Sequence, residues 1–174
     1  MTNNTERLNK LDDNKLIDVV KNYRQYGYDD ELRTTAISLL NDRGITIEQL
    51  QLTGDFENKT YDYAQELFSS FGKNSKIAFV LYGILLLTNI LVPILAYNSE
   101  TLGLFTLILN WVALIGFIVF LIKSFMNQNQ FYKAINKDYG TEGALLYLFL
   151  GMPFYLLMYF YFRNQMKEKM KEIK

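Results

Sequence analysis

Apolar residues follow two rhythms along this chain. Over residues 11–71 they recur every three or four positions among charged neighbours, and from Ile77 onward they come in long unbroken runs. The first rhythm belongs to short amphipathic helices. In LDDNKLIDVVKNY, Leu16, Val20 and Tyr23 share a face, and Asp12 or Asp13 can cap the start. In DDELRTTAISLLNDRG, Asp29 and Asp30 suit the positive end of a helix dipole. Leu32, Ala36, Leu39 and Leu40 form its apolar stripe, and Gly44 fits the left-handed position past its end. TIEQLQLTG carries a capping box from Thr46 to Gln49 and stops at Gly54. A fourth helix, from about Thr60 to Phe71, sets Tyr61, Ala64, Leu67, Phe68 and Phe71 near one side. Gly27 makes the corner between the first two helices. Tyr23, Tyr26 and Tyr28 around it are expected to close a very small core, with a binding surface as the alternative.

The unbroken runs cover residues 77–97, 102–122 and 144–162, which are 21, 21 and 19 positions without a charge. Each matches the ~20 residues that cross a ~30 Å hydrocarbon layer. The pattern predicts an all-α protein. A small soluble helical head spans residues 1–75 and a helical membrane domain spans 76–174. That domain comprises a two-helix hairpin, an interfacial helix and a third, Pro-kinked membrane helix. The short joint at 98–101 makes the first two runs antiparallel, so residues at equal depth have numbers adding to about 199. Asn89 then meets Asn110, Pro93 meets Thr106 and Ala96 meets Gly103. These six residues are the expected interhelical clamp, with small residues allowing close approach and amides bonding across. In the connector, Phe125, Tyr132, Ile135 and Tyr139 share a face, which fits a helix lying in the interface or docking on the head.

The net charge of zero hides a division. Residues 1–75 hold 13 acidic and 9 basic side chains, and residues 76–174 hold 5 and 9. An acidic head excludes nucleic acid as a partner class. The joint at 98–101 has no Lys or Arg, whereas Lys73, Lys76, Lys123, Lys133 and Lys137 flank the other ends of the first two runs. The positive-inside rule therefore places the head and connector in the cytoplasm. The N-terminus lacks an apolar signal segment, which agrees with a cytoplasmic head. The tail complicates this, because Arg163, Lys167, Lys169, Lys171 and Lys174 would lie outside after three full crossings. A break at Gly151, Met152 and Pro153 would return them inside. Tyr147, Gly151, Tyr155 and Tyr159 instead step by four residues. That stripe favours a continuous crossing helix kinked at Pro153, its face turned to the interior, the membrane or a partner.

The chain contains no His and no Cys, which removes His- and Cys-based metal sites and the common nucleophile–base pairs. The head's carboxylates sit where helix caps want them, and no phosphate-binding loop or nucleophile motif occurs. The expected function is therefore that of a non-enzymatic, membrane-anchored adaptor or accessory subunit of a bacterial membrane complex, without cofactor or metal. The expected partners are the lipid bilayer, and other membrane proteins or copies of itself. A homo-oligomeric channel or transport component, with Asn89, Thr88, Asn110 and Thr106 lining a pore, is the alternative. Abundant Asn, Lys, Ile, Phe and Tyr suggest an AT-rich bacterial genome, hence a bacterial inner membrane. Residues 11–45, with Val19-Val20-Lys21-Asn22, the Tyr corner and Ala36-x-x-Leu39-Leu40-x-x-Arg43-Gly44-Ile45, resemble a helical-hairpin module. That module precedes membrane segments in small bacterial proteins of unknown function, and the resemblance implies no activity.

Overall fold

A computed structural model describes residues 2–137 and 153–173. All the elements are helices, and no strand occurs among the described residues. They are α1 (Thr2–Asn9), α2 (Asp13–Asn22), α3 (Asp30–Asp42), α4 (Ile47–Thr53), α5 (Lys59–Asn98), α6 (Glu100–Ala134) and α7 (Tyr155–Lys171). Packing divides the chain into two units, Met1–Asp62 and Tyr63–Lys174.

The first unit is built from the predicted caps and stripes. Asp12 accepts from the Lys15 amide and Asp29 from the Leu32 amide, which starts α2 and α3. Thr46 and Gln49 close the capping box of α4, and Gly54 ends it with φ 77°. The core holds Leu8, Leu16, Val19, Val20, Ala36, Leu40 and Leu50. Leu8 comes from α1, which the apolar pattern did not mark because its eight residues are mostly polar. Tyr23 is buried, whereas Tyr26 and Tyr28 are exposed and stack on each other at 5.6 Å.

The second unit carries two helices long and apolar enough to cross a membrane, α5 and α6. Both exceed the predicted runs. The composition shift near Gly72 and Ser75 falls inside α5, because a single helical Gly costs only about 1 kcal/mol. The predicted interfacial helix is not a separate element, since residues 123–134 continue α6. No Gly or Pro interrupts that stretch, and its buried line runs on unchanged through Phe117, Leu121, Ser124, Gln128 and Phe131. Asn136, with φ 54°, sets the stop, a conformation that Asn tolerates better than most residues. The joint between α5 and α6 is Ser99 alone.

Buried positions in this unit step by three and four. They are Ala64, Leu67, Phe71, Ser75, Ala78 and Tyr82 in α5, and Tyr155, Tyr159, Phe162, Met166 and Met170 in α7. With the α6 line they make a three-helix seam of the kind found in coiled coils. Of the predicted third segment, residues 144–152, with Tyr147 and Gly151, lie outside the described residues. Tyr155 and Tyr159 are buried in the seam.

Candidate functional site

The polar atoms of the two long apolar helices were the sequence's first candidates. Asn110 donates to Thr88 Oγ1 at 2.8 Å, a bond across the hairpin. Asn89 instead donates back to the Leu85 carbonyl at 2.8 Å and is exposed. The two amides expected to face each other therefore do not bond. Equal depth fixes height but not direction, and Thr88, one residue earlier, is the group turned toward Asn110. Thr106 is buried and bonds the Leu102 carbonyl within its own helix. Asn110, Thr88 and Thr106 thus bond within one protomer. Ala96 and Gly103 do meet closely. A Cβ built on Gly103 would lie 2.7 Å from both Cα and Cβ of Ala96. Pro93 is exposed inside α5.

Below these groups lies an aromatic cluster. Tyr82 stacks at 5.1 Å on Phe117, and Tyr155 reaches both rings, at 6.1 and 5.2 Å. The Tyr82 hydroxyl donates to the Pro153 carbonyl at 2.8 Å, and the Tyr155 hydroxyl donates to the Ser75 carbonyl at 3.2 Å. Phe79 packs on Tyr159 at 5.3 Å. These contacts set the levels of the three helices. Ala96 with Gly103, and Tyr82 with Phe117, obey the rule of 199, which brings Lys76 level with Lys123. The pairs Phe79–Tyr159 and Tyr82–Tyr155 bring Arg163 within one turn of the same level. One exposed cation per helix therefore forms a belt, Lys76, Lys123 and Arg163.

The same contacts give α7 its direction. It starts beside Tyr82 and runs past the belt until Glu172 pairs with Lys137, just beyond the end of α6. The basic tail therefore ends where α6 ends. Residues 144–152 of the expected crossing helix lie outside the described residues, so this direction is that of residues 155–172 alone.

Lys137, followed by Lys169, holds the Glu172 carboxyl down at about 2. A depressed carboxyl contributes its pairing fully above its ordinary pKa, and the contribution is lost as pH falls toward 2. A carbon-13 titration of Glu172 is expected to show a midpoint near 2, and Lys137→Gln is expected to move it upward.

In the first unit, a polar relay joins α2 to the start of α5. Asn58 caps the Tyr61 amide at 2.9 Å and donates to Asn22 at 2.6 Å, and Asn22 donates to Asp18 at 2.7 Å. The Tyr26 hydroxyl also donates to Asp18, which pushes its pKa up to about 12. Arg33 lies between the rings of Tyr23 and Phe56, at 4.6 and 4.4 Å, and donates to the carbonyls of Val20 and Phe56. Sequence reasoning missed Arg33, Asn22 and Asn58. The one available signal was a guanidinium on the apolar side of α3 beside a tyrosine corner. Lysine cannot reproduce this fork and stack, so Arg33→Lys is expected to cost about 1–3 kcal/mol. Faster hydrogen exchange at the Val20 and Leu40 amides would measure it.

Three further head carboxylates are engaged in ion pairs. Asp55 pairs with Lys21 at 2.9 Å, Asp62 with Arg24 at 3.0 Å and Asp13 with Arg43 at 2.9 Å. Lys21 holds Asp55 below the usual carboxylate range, and Asp62 raises Arg24. A cavity of ≈ 280 Å³ opens between Arg7, Leu8, Leu11, Val19, Tyr28 and Leu32. No group of three or more acidic residues that could hold a metal occurs among the described residues. No protein-family model, curated protein or solved structure matches this chain.

Proposed function

We propose that the chain is a non-enzymatic, membrane-anchored adaptor, an accessory subunit of a bacterial inner-membrane complex with its acidic head in the cytoplasm. The observation that carries the anchor is the exposure of α5 and α6. Only 17 % and 22 % of their most apolar stretches are buried, so most of that surface requires lipid. At ~1.5 Å per residue, α5 and α6 are about 60 and 52 Å long, well beyond the ~30 Å hydrocarbon layer. The belt of Lys76, Lys123 and Arg163 marks where they leave it, and the positive-inside rule assigns that end to the cytoplasm.

The adaptor role rests on how the head uses its charges. Asp12, Asp13, Asp18, Asp29, Asp55 and Asp62 all serve caps or internal pairs. Asp30, Glu31, Asp42 and Glu48 remain exposed and solvated, an acidic surface suited to a basic partner. Purification from native membranes in mild detergent is expected to bring down a partner whose association weakens with salt and with Asp30→Lys plus Glu31→Lys. A monodisperse particle of this chain alone at low salt would overturn the reading.

A further inference from the structure

The exposed amide of Asn89 needs a second explanation once Asn110 is paired with Thr88. Asn89 continues the line of Ala78, Tyr82 and Leu85, the face of α5 that packs against the other helices lower down. Ala78 and Tyr82 on that line are buried, but Asn89, Pro93 and Ala96 are exposed. The change occurs above the level at which α7 begins. One amide hydrogen of Asn89 bonds Leu85. Its other hydrogen and its Oδ1 have no partner among the described residues. In the membrane reading proposed above, on which this inference rests, Asn89 lies about 20 Å from the belt, inside the hydrocarbon layer. An unsatisfied amide is costly there.

We propose that this face is a self-association surface, where a second copy of the chain packs α5 against α5 with Asn89 at the two-fold axis. An amide carries donor and acceptor on one group, so it is its own complement. In an isologous pair, the free N–H of each Asn89 is donated to the Oδ1 of the other. Pro93, exposed one turn further along α5, is compact enough to let a second helix approach, while Ala96 is already packed against Gly103.

The native chain has no Cys, which permits single-cysteine cross-linking without background. In oxidised membranes, Leu86→Cys and Ile90→Cys are expected to give covalent dimers. Ile108→Cys, exposed at similar depth on the far side of α6, is expected to stay monomeric. Adding Asn89→Leu to Leu86→Cys should lower the dimer yield about 3- to 20-fold, and Asn89→Gln should restore part of it. Equal yields at 86 and 108, no effect of Asn89→Leu, or cross-linking to a different protein would each overturn the proposal. Retention in the alkaline-washed pellet separates the two readings. A chain that stays in the pellet without dimerising refutes only self-association, whereas extraction into the wash refutes the membrane reading itself.

Discussion

Lys171→Cys and Lys133→Cys are expected to react with a membrane-impermeant maleimide from the same side, and Glu100→Cys from the other. The cause is the direction of α7. Glu172 is paired with Lys137, the Tyr82 hydroxyl holds the carbonyl of Pro153, and Phe79 packs on Tyr159. Together these put both ends of α7 on known levels of the hairpin. Its charge-free part, residues 155–162, covers about 12 Å above the belt, too short to cross the layer. Since Glu172 lies level with Lys137, the tail is expected on the same side as the end of α6. In the membrane reading proposed above, the nine described basic residues from Lys73 to Lys171 lie at the belt or on the tail's side of it, and the joint carries none. The positive-inside rule favours this distribution over an even split. Labelling of Lys171→Cys together with Glu100→Cys would restore three full crossings. Since the native chain lacks Cys, each label reports one position only.

The tyrosine stripe does not carry this direction, and its Tyr147 and Gly151 lie outside the described residues. Steps of four between Tyr147 and Tyr159 describe which side of a helix would be shared, but not whether one helix spans them all. What decides the topology is pairing between residues far apart in sequence, such as Tyr82 with Pro153 and Lys137 with Glu172. No local period records such pairing. The five basic residues in the tail point toward the same expectation. The connector was misread from its local period alone. Phe125, Tyr132 and Ile135 do share a helical side, but Gln128 and Ser124 are buried with Leu121 and Phe131. A polar residue in a seam looks from sequence like a polar residue at a surface. The head was more legible because caps act within four residues. Asp12, Asp29, Thr46 with Gln49, Gly44 and Gly54 all took the roles their spacing indicated. Arg33 was not legible, since its bonds reach Val20 and Phe56 in other segments.

The candidate site divides along the same line. The depth rule is a consequence of antiparallel helices of equal rise, so it found Ala96 opposite Gly103 and the level of Asn110. It could not choose between Thr88 and Asn89 as the partner, because neighbouring residues differ by 100° around the axis and by only ~1.5 Å along it. That rotation separates a bond inside the protomer from an amide offered to a second copy.

Replacing Gly103 by alanine is expected to destabilise the hairpin by about 1–3 kcal/mol, the range for overpacking a close contact. The added Cβ would sit 2.7 Å from Cα and Cβ of Ala96 and 3.2 Å from its nitrogen. Backbone atoms cannot rotate out of the way. Separation of the helices is also blocked, because Ser99 alone joins them a few residues away. The other helical glycines give an internal scale. A Cβ on Gly116 would meet the side chain of Leu81, its Cδ1 at 3.0 Å, the end of a flexible side chain that can shift. A Cβ on Gly83 would meet nothing within 4 Å. Thermal unfolding in one detergent, followed by circular dichroism, should therefore rank the variants. Gly83→Ala should match or exceed the wild type, since alanine favours helix over glycine. Gly116→Ala should fall slightly below it, and Gly103→Ala far below. Gly103→Leu should prevent the hairpin from closing, and a second substitution at Ala96 to glycine should recover part of the loss in Gly103→Ala. If Gly103→Ala unfolds at the same temperature as Gly83→Ala, the close approach at Ala96 does not exist, and the shared levels that define the cation belt lose one of their two anchors.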